Sequence, residues 1–154
     1  MSLLILNDDP FISRRIAWRL ECLNFESTSA NRVDLALRKL QADKNINVIL
    51  IDLSMSGRDA SKLMRIVQRS PLWSERVLEF IATTGDKDNL KELSMLDNGT
   101  YQYLEDPTEI TQLCFAVENA FKRAKYRQLE KIDIPVRKQP ECSPKALPLA
   151  LASL

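Results

Sequence analysis

Histidine is absent from this chain. That removes Ser-His-Asp and Cys-His triads, histidine zinc sites and phosphohistidine chemistry within the chain itself. Glycine is nearly as scarce. Gly57, Gly85 and Gly99 are too few and too scattered for a Walker-type phosphate loop or a G-x-G-x-x-G turn. Cys22, Cys114 and Cys142 are odd in number and far apart, with no C-x-x-C between them, so neither a zinc ribbon nor a redox motif is supported. Cys22 and Cys114 fall among apolar helical positions and are expected to be buried as small hydrophobes. No apolar stretch approaches the ~18 residues that span a bilayer. The first apolar run, Leu3 to Leu6, has no basic segment before it and meets acids at once. A signal peptide is not expected, and a reducing, cytoplasmic setting is the default.

What remains is an ordinary globular mix of 154 residues, 45% hydrophobic and 28% charged. The length suits one domain with a tail. A net charge of +1 gives no global field toward nucleic acid.

Short apolar runs alternate with amphipathic stretches. Leu3-Leu4-Ile5-Leu6 and Val48-Ile49-Leu50-Ile51 are continuous, the mark of strands buried on both faces. Phe25 to Ala30 is short and polar, and reads as an edge strand. Val77 to Ala82 and Thr100 to Leu104 complete five strands. Helical stripes fall at Ile12, Ile16 and Leu20, at Val33, Leu37 and Leu40, and at Leu63, Ile66 and Val67. Two more fall at Leu90, Leu93 and Leu96, and at Ile110, Leu113, Val117 and Phe121. Five βα units in series predict an open parallel α/β sheet with helices on both faces. The last helix is expected to end near Lys131, and Pro135, Pro140, Pro144 and Pro148 are expected to break any element beyond it. Residues 1–125 are the predicted domain, and 126–154 a helix extension and flexible basic tail. Residues 1–120 carry 14 basic and 18 acidic side chains, whereas 121–154 carry 8 and 3. That tail has few aromatics, so a solvated helix end is preferred to nucleic-acid binding.

In such sheets the working residues lie beyond the carboxyl ends of the strands. Asp8 and Asp9 follow the first strand, Asp52 the third, Thr84 the fourth, and Glu105-Asp106 the fifth. Converging carboxylates repel unless a cation neutralises them, and a hard oxygen-seeking ion such as magnesium suits them. Asp52 then suits a nucleophile of aspartyl-phosphate chemistry, and Thr84 a donor to a phosphoryl oxygen. Blander readings stand beside these. Asp8-Asp9 and Thr84 would each suit a helix N-cap, and Asp52 a strand-end cap.

The segments Leu6-Asn7-Asp8-Asp9-Pro10, Ile51-Asp52-Leu53-Ser54-Met55, Ala82-Thr83-Thr84-Gly85 and Tyr103-Leu104-Glu105-Asp106-Pro107 lie in order at strand ends. Together they resemble the receiver domain of two-component response regulators, from Leu3 to about Arg123. The resemblance implies a doubly wound, flavodoxin-like sheet of order 2-1-3-4-5. It implies an acid pair Asp8 and Asp9, with Asp9 a direct Mg2+ ligand, and Asp52 as phospho-acceptor and second ligand. The backbone carbonyl of Ser54 would be the third ligand. Thr84 would be the switch hydroxyl and Tyr103 the switch aromatic. A sensor histidine kinase or histidine phosphotransfer protein would be the phosphoryl donor. A downstream protein would bind the face around the fourth helix, fifth strand and fifth helix. No enzyme activity, nucleic acid or membrane span is expected.

The chain departs from the family where a lysine usually precedes Pro107. Asp106 stands there, and no lysine lies between Lys91 and Lys122. At about 4 Å and an effective dielectric near 20, one like-charge contact costs about 4 kcal/mol. Met55-Ser56 replaces the usual Met-Pro, and Ala60 a usual glycine. These changes admit a pseudo-receiver, a phosphorylation-independent interaction module. A phosphatase of another Asp-nucleophile family fits poorly, because it needs an Asp where Ser54 stands. Asp106 would alternatively be an exposed loop acid leaning away from the site. Trp18 and Trp73 read as packing or partner residues.

Overall fold

The first strand, β1 (Ser2–Leu6), is buried along its whole length. Its residues alternate between two cores. Leu4 and Leu6 join Ile49, Ile51, Phe80 and Ala82 on one face. Leu3 and Ile5 join Val48, Leu50 and Ile81 on the other. This is why continuous apolar runs mark these strands: a parallel sheet has no wet face. In a computed structural model, residues 1–56, 59–73, 75–84 and 101–137 are described.

The order along the chain is β1, α1 (Pro10–Cys22), β2 (Ser27–Ala30), α2 (Val33–Ala42), β3 (Ile46–Asp52), α3 (Asp59–Arg69), β4 (Glu79–Thr83), β5 (Tyr101–Tyr103) and α4 (Ile110–Arg137). All strand pairs are parallel, and the sheet order is β2-β1-β3-β4-β5, as the resemblance implied. The polar segment read as an edge strand is indeed the edge, shortened to Ser27–Ala30. The core on one face takes Ala36 and Leu40 from α2 and Leu63, Met64 and Val67 from α3. The opposite core takes Ile16 and Leu20 from α1 and Leu113, Val117 and Ala120 from α4.

Local chemistry sets the ends. Pro10 opens α1, where its missing N–H costs nothing, and Asp9 caps it. Asn24 closes it with φ 64. The N–H of Asn24 donates to Glu21 O at 2.9 Å and that of Phe25 to Leu20 O at 2.8 Å, a Schellman end built on asparagine. Arg76 ties the α2–β3 turn to the approach to β4. Its guanidinium donates to Leu40 O, to Asp43 O at 3.2 Å and to Ile46 O at 2.9 Å, and lies over the Trp73 ring.

Several expectations need correction. Cys22 is exposed and Cys114 half-buried, because both sit at the margins of their helical stripes. Trp73 packs into the core, but Trp18 is 62% exposed. Val77 and Leu78 are buried without belonging to β4, whose ladder begins at Glu79. The last helix passes Lys131 and Pro135 and is described as far as Arg137. Pro135 lacks the N–H for one helical bond, but the helix runs on through it. The helix expected over Leu90 to Leu96 lies outside the described residues. By contacts the chain forms two units, Met1–Ala124 and Lys125–Leu154.

Candidate functional site

Strand register builds the site. Leu6 pairs with Ile51, Asp52 with Thr83, and Ala82 with Tyr103. The carboxyl edge therefore sets the residues after β1 beside Asp52, and Asp52 beside the segment carrying Thr84. The N–H of Leu53 donates to Thr83 O at 2.8 Å and fixes that neighbourhood beyond the ladder.

Asp52 Oδ1 accepts from the N–H of Ser54 at 2.9 Å. Burial pushes the Asp52 carboxyl above its usual range, and the charges of Asp8 and Asp9 add to this. Hydrogen bonds from the Ser54 N–H and hydroxyl oppose it. Asp52 thus feels the charges of both acids that follow β1. Among the described residues the charges acting on Asp52 are those of Asp8 and Asp9.

The two adjacent acids have different work. Asp9 Oδ1 accepts from the N–H groups of Phe11 at 2.9 Å and Ile12 at 3.3 Å, so the capping reading holds for it. Asp8 is exposed and reaches the loop after β3, where its Oδ2 accepts from Ser56 N–H at 3.4 Å and Ser56 Oγ–H at 3.3 Å. Asp8 is also the stronger of the two charges felt by Asp52. Ser56 stands where the family's proline would supply neither donor. Ahead of them, buried Asn7 accepts from the N–H of Asp9 at 2.8 Å and sets the turn.

Thr84 is buried at the end of β4, and its Oγ1 lies 3.0 Å from Ser54 Oγ. Sequence reasoning assigned Ser54 only its carbonyl and gave Ser56 no part. Their hydroxyl contacts depend on the path of the loop, which no local pattern encodes. Tyr103 is half-buried on β5.

Of the two readings of Asp106, the exposed turn acid is the one its bonds fit. Its Oδ1 accepts from Thr108 N–H at 2.9 Å and Thr108 Oγ–H at 2.7 Å. These bonds, with Arg15 and Arg19 of α1 adding, hold its carboxyl below the usual range. It is an exposed turn acid facing α1, so the like-charge contact with Asp52 is not made.

The donor set for a hard cation is limited. No group of three or more His, Cys, Asp or Glu side chains among the described residues gathers into a metal cage. What the edge offers is oxygen: exposed Asp8, Asp52, hydroxyls and main-chain carbonyls. The uncompensated charge on Asp52 suits a small divalent ion that keeps several waters.

The family profile of the response regulator receiver domain matches residues 3–118, and the chain belongs to that family. A solved response regulator receiver domain protein from Clostridium thermocellum is 28% identical, with a TM-score of 0.66. The match covers 81% of this chain and 97% of that one. The two-component response regulator PprB of Pseudomonas aeruginosa is 21% identical over 133 residues, and the nitrogen assimilation regulatory protein NtrX of Azorhizobium caulinodans 24% over 139. Each match covers 86% of this chain, but the chain spans only 48% and 30% of those two proteins. No described helix is long and apolar enough to cross a membrane.

Proposed function

We propose that this chain receives a phosphoryl group on Asp52 in a two-component phosphorelay and signals by binding a partner protein. The observation that carries the reading is the placement of Asp52. It sits at the carboxyl end of the central strand and feels the charge of Asp8, and Ser54 bonds it through its N–H and Thr84 through its hydroxyl. Asp52 attacks phosphorus through a carboxylate oxygen, and the donor's bond to phosphorus breaks with its electron pair. Asp8, Asp52 and the Ser54 carbonyl would hold Mg2+, leaving Asp9 to cap α1. The ion, when bound, offsets the negative charge between the carboxylates and the phosphoryl oxygens. The setting is cytoplasmic, and the donor is a sensor histidine kinase or a histidine phosphotransfer protein. The partner binds near β5 and α4, and the chain is a signalling module, not an enzyme.

The missing lysine favours a second reading, a constitutive pseudo-receiver. Acetyl phosphate with Mg2+, followed by intact mass, separates the two. The wild type is expected to gain one phosphoryl group and Asp52→Asn none. Asp106→Asn should label at about the wild-type rate, because its carboxyl faces away. A wild type that gains nothing would establish the pseudo-receiver.

A further inference from the structure

We propose that the Ser54 hydroxyl is a latch on Thr84. In the resting state it holds the Thr84 hydroxyl, and this bond must break before Thr84 turns toward a phosphoryl group on Asp52. The inference rests on Asp52 being the acceptor.

The geometry is a short chain of donors. Ser54 Oγ lies 3.0 Å from Thr84 Oγ1, and the N–H of the same Ser54 donates to Asp52 Oδ1 at 2.9 Å. A serine hydroxyl carries one proton. Either hydroxyl of the pair can be the donor. In both directions the Thr84 hydroxyl is engaged with Ser54 and must leave it to reach a phosphoryl oxygen.

The backbone around the pair is pinned. Asp52 is in register with Thr83, Leu53 N–H donates to Thr83 O, and Ser54 N–H donates to Asp52 Oδ1. These bonds hold the backbone just beyond the ladder, and Thr84 leaves by rotation of its side chain. Thr84 is 6% exposed while Ser54 is exposed, so the bond is buried on the Thr84 side only. Ser54 is thus a positioning residue that acts through Thr84.

The test titrates the full chain with beryllofluoride, a phosphoryl analogue, in the presence of Mg2+. Wild type, Ser54→Ala, Ser54→Thr, Thr84→Ala and the Ser54→Ala/Thr84→Ala double variant are compared. Ser54→Ala keeps the backbone N–H and carbonyl, and Ser54 is exposed, so folding is not at stake. Loss of one opposing hydroxyl bond is expected to tighten binding about fivefold. Ser54→Thr keeps a hydroxyl and should bind as the wild type does. In the Thr84→Ala background the gain from Ser54→Ala should vanish, which a general loosening of the loop would not produce. Equal or weaker binding by Ser54→Ala, or a gain that survives without Thr84, would overturn the latch alone. No binding by any of the five proteins would overturn the acceptor reading and the latch with it.

Discussion

Neighbouring residues of the same type are separated by what each one bonds. Asp8 and Asp9 are adjacent and chemically alike, yet one reaches the Ser56 loop and the other caps α1. Asp52 ends β3 and Asp106 stands in the turn after β5, and their carboxyls shift in opposite directions. Asp52 is raised first by burial, and Asp106 is lowered first by its Thr108 bonds. The stability consequences have opposite signs. A raised carboxyl stabilises the fold fully below the ordinary carboxylate range, and that contribution is lost as pH rises through the folded value. A lowered one contributes above that range and loses its contribution as pH falls. Without divalent ions, Asp52→Asn is therefore expected to melt higher than the wild type at neutral pH. The gap should close as pH drops through the acid range. Melting temperatures measured across pH check this, and a gap that widened on acidification would contradict it.

Elements follow from patterning, and their ends from caps. The central strands were legible because both faces are buried, and the edge strand because it is polar. The places of Asp52 and Thr84 were legible because the βα rhythm sets strand ends where ligands gather. The division of labour between Asp8 and Asp9 was not, since either acid suits an N-cap and only the entry of the chain into α1 decides. Ser54, Ser56 and Asp106 act through loop geometry, on which periodicity is silent. The end of α1 shows the same limit, because asparagine at a left-handed position looks in sequence like any polar turn residue. Asn24→Val should cost about 1–2 kcal/mol, since a branched Cβ opposes φ 64. Urea unfolding measures it, and an unchanged midpoint would mean the helix end relaxes.

At the scale of the whole molecule, an ion held at the acidic edge would couple stability to its concentration. A ligand that binds only the folded state adds RT ln(1 + [L]/Kd), about 1.4 kcal/mol at a tenfold excess over Kd. Mg2+ is therefore expected to raise the melting temperature of the wild type and to leave that of Asp52→Asn nearly unmoved. Calorimetry at matched ionic strength separates this from general screening. Equal shifts in both proteins would remove Asp52 from the ion's ligands.

The two cores share a sheet but few partners. Leu4 and Ile5 are bonded neighbours in the chain, yet one packs toward α2 and α3 and the other toward α1 and α4. Away from the shared strands, substitutions in the two layers meet separate partners, and their effects are expected to add. Each side can therefore accumulate substitutions on its own schedule, so this fold ages as two loosely independent halves that have only their backbone ladder in common.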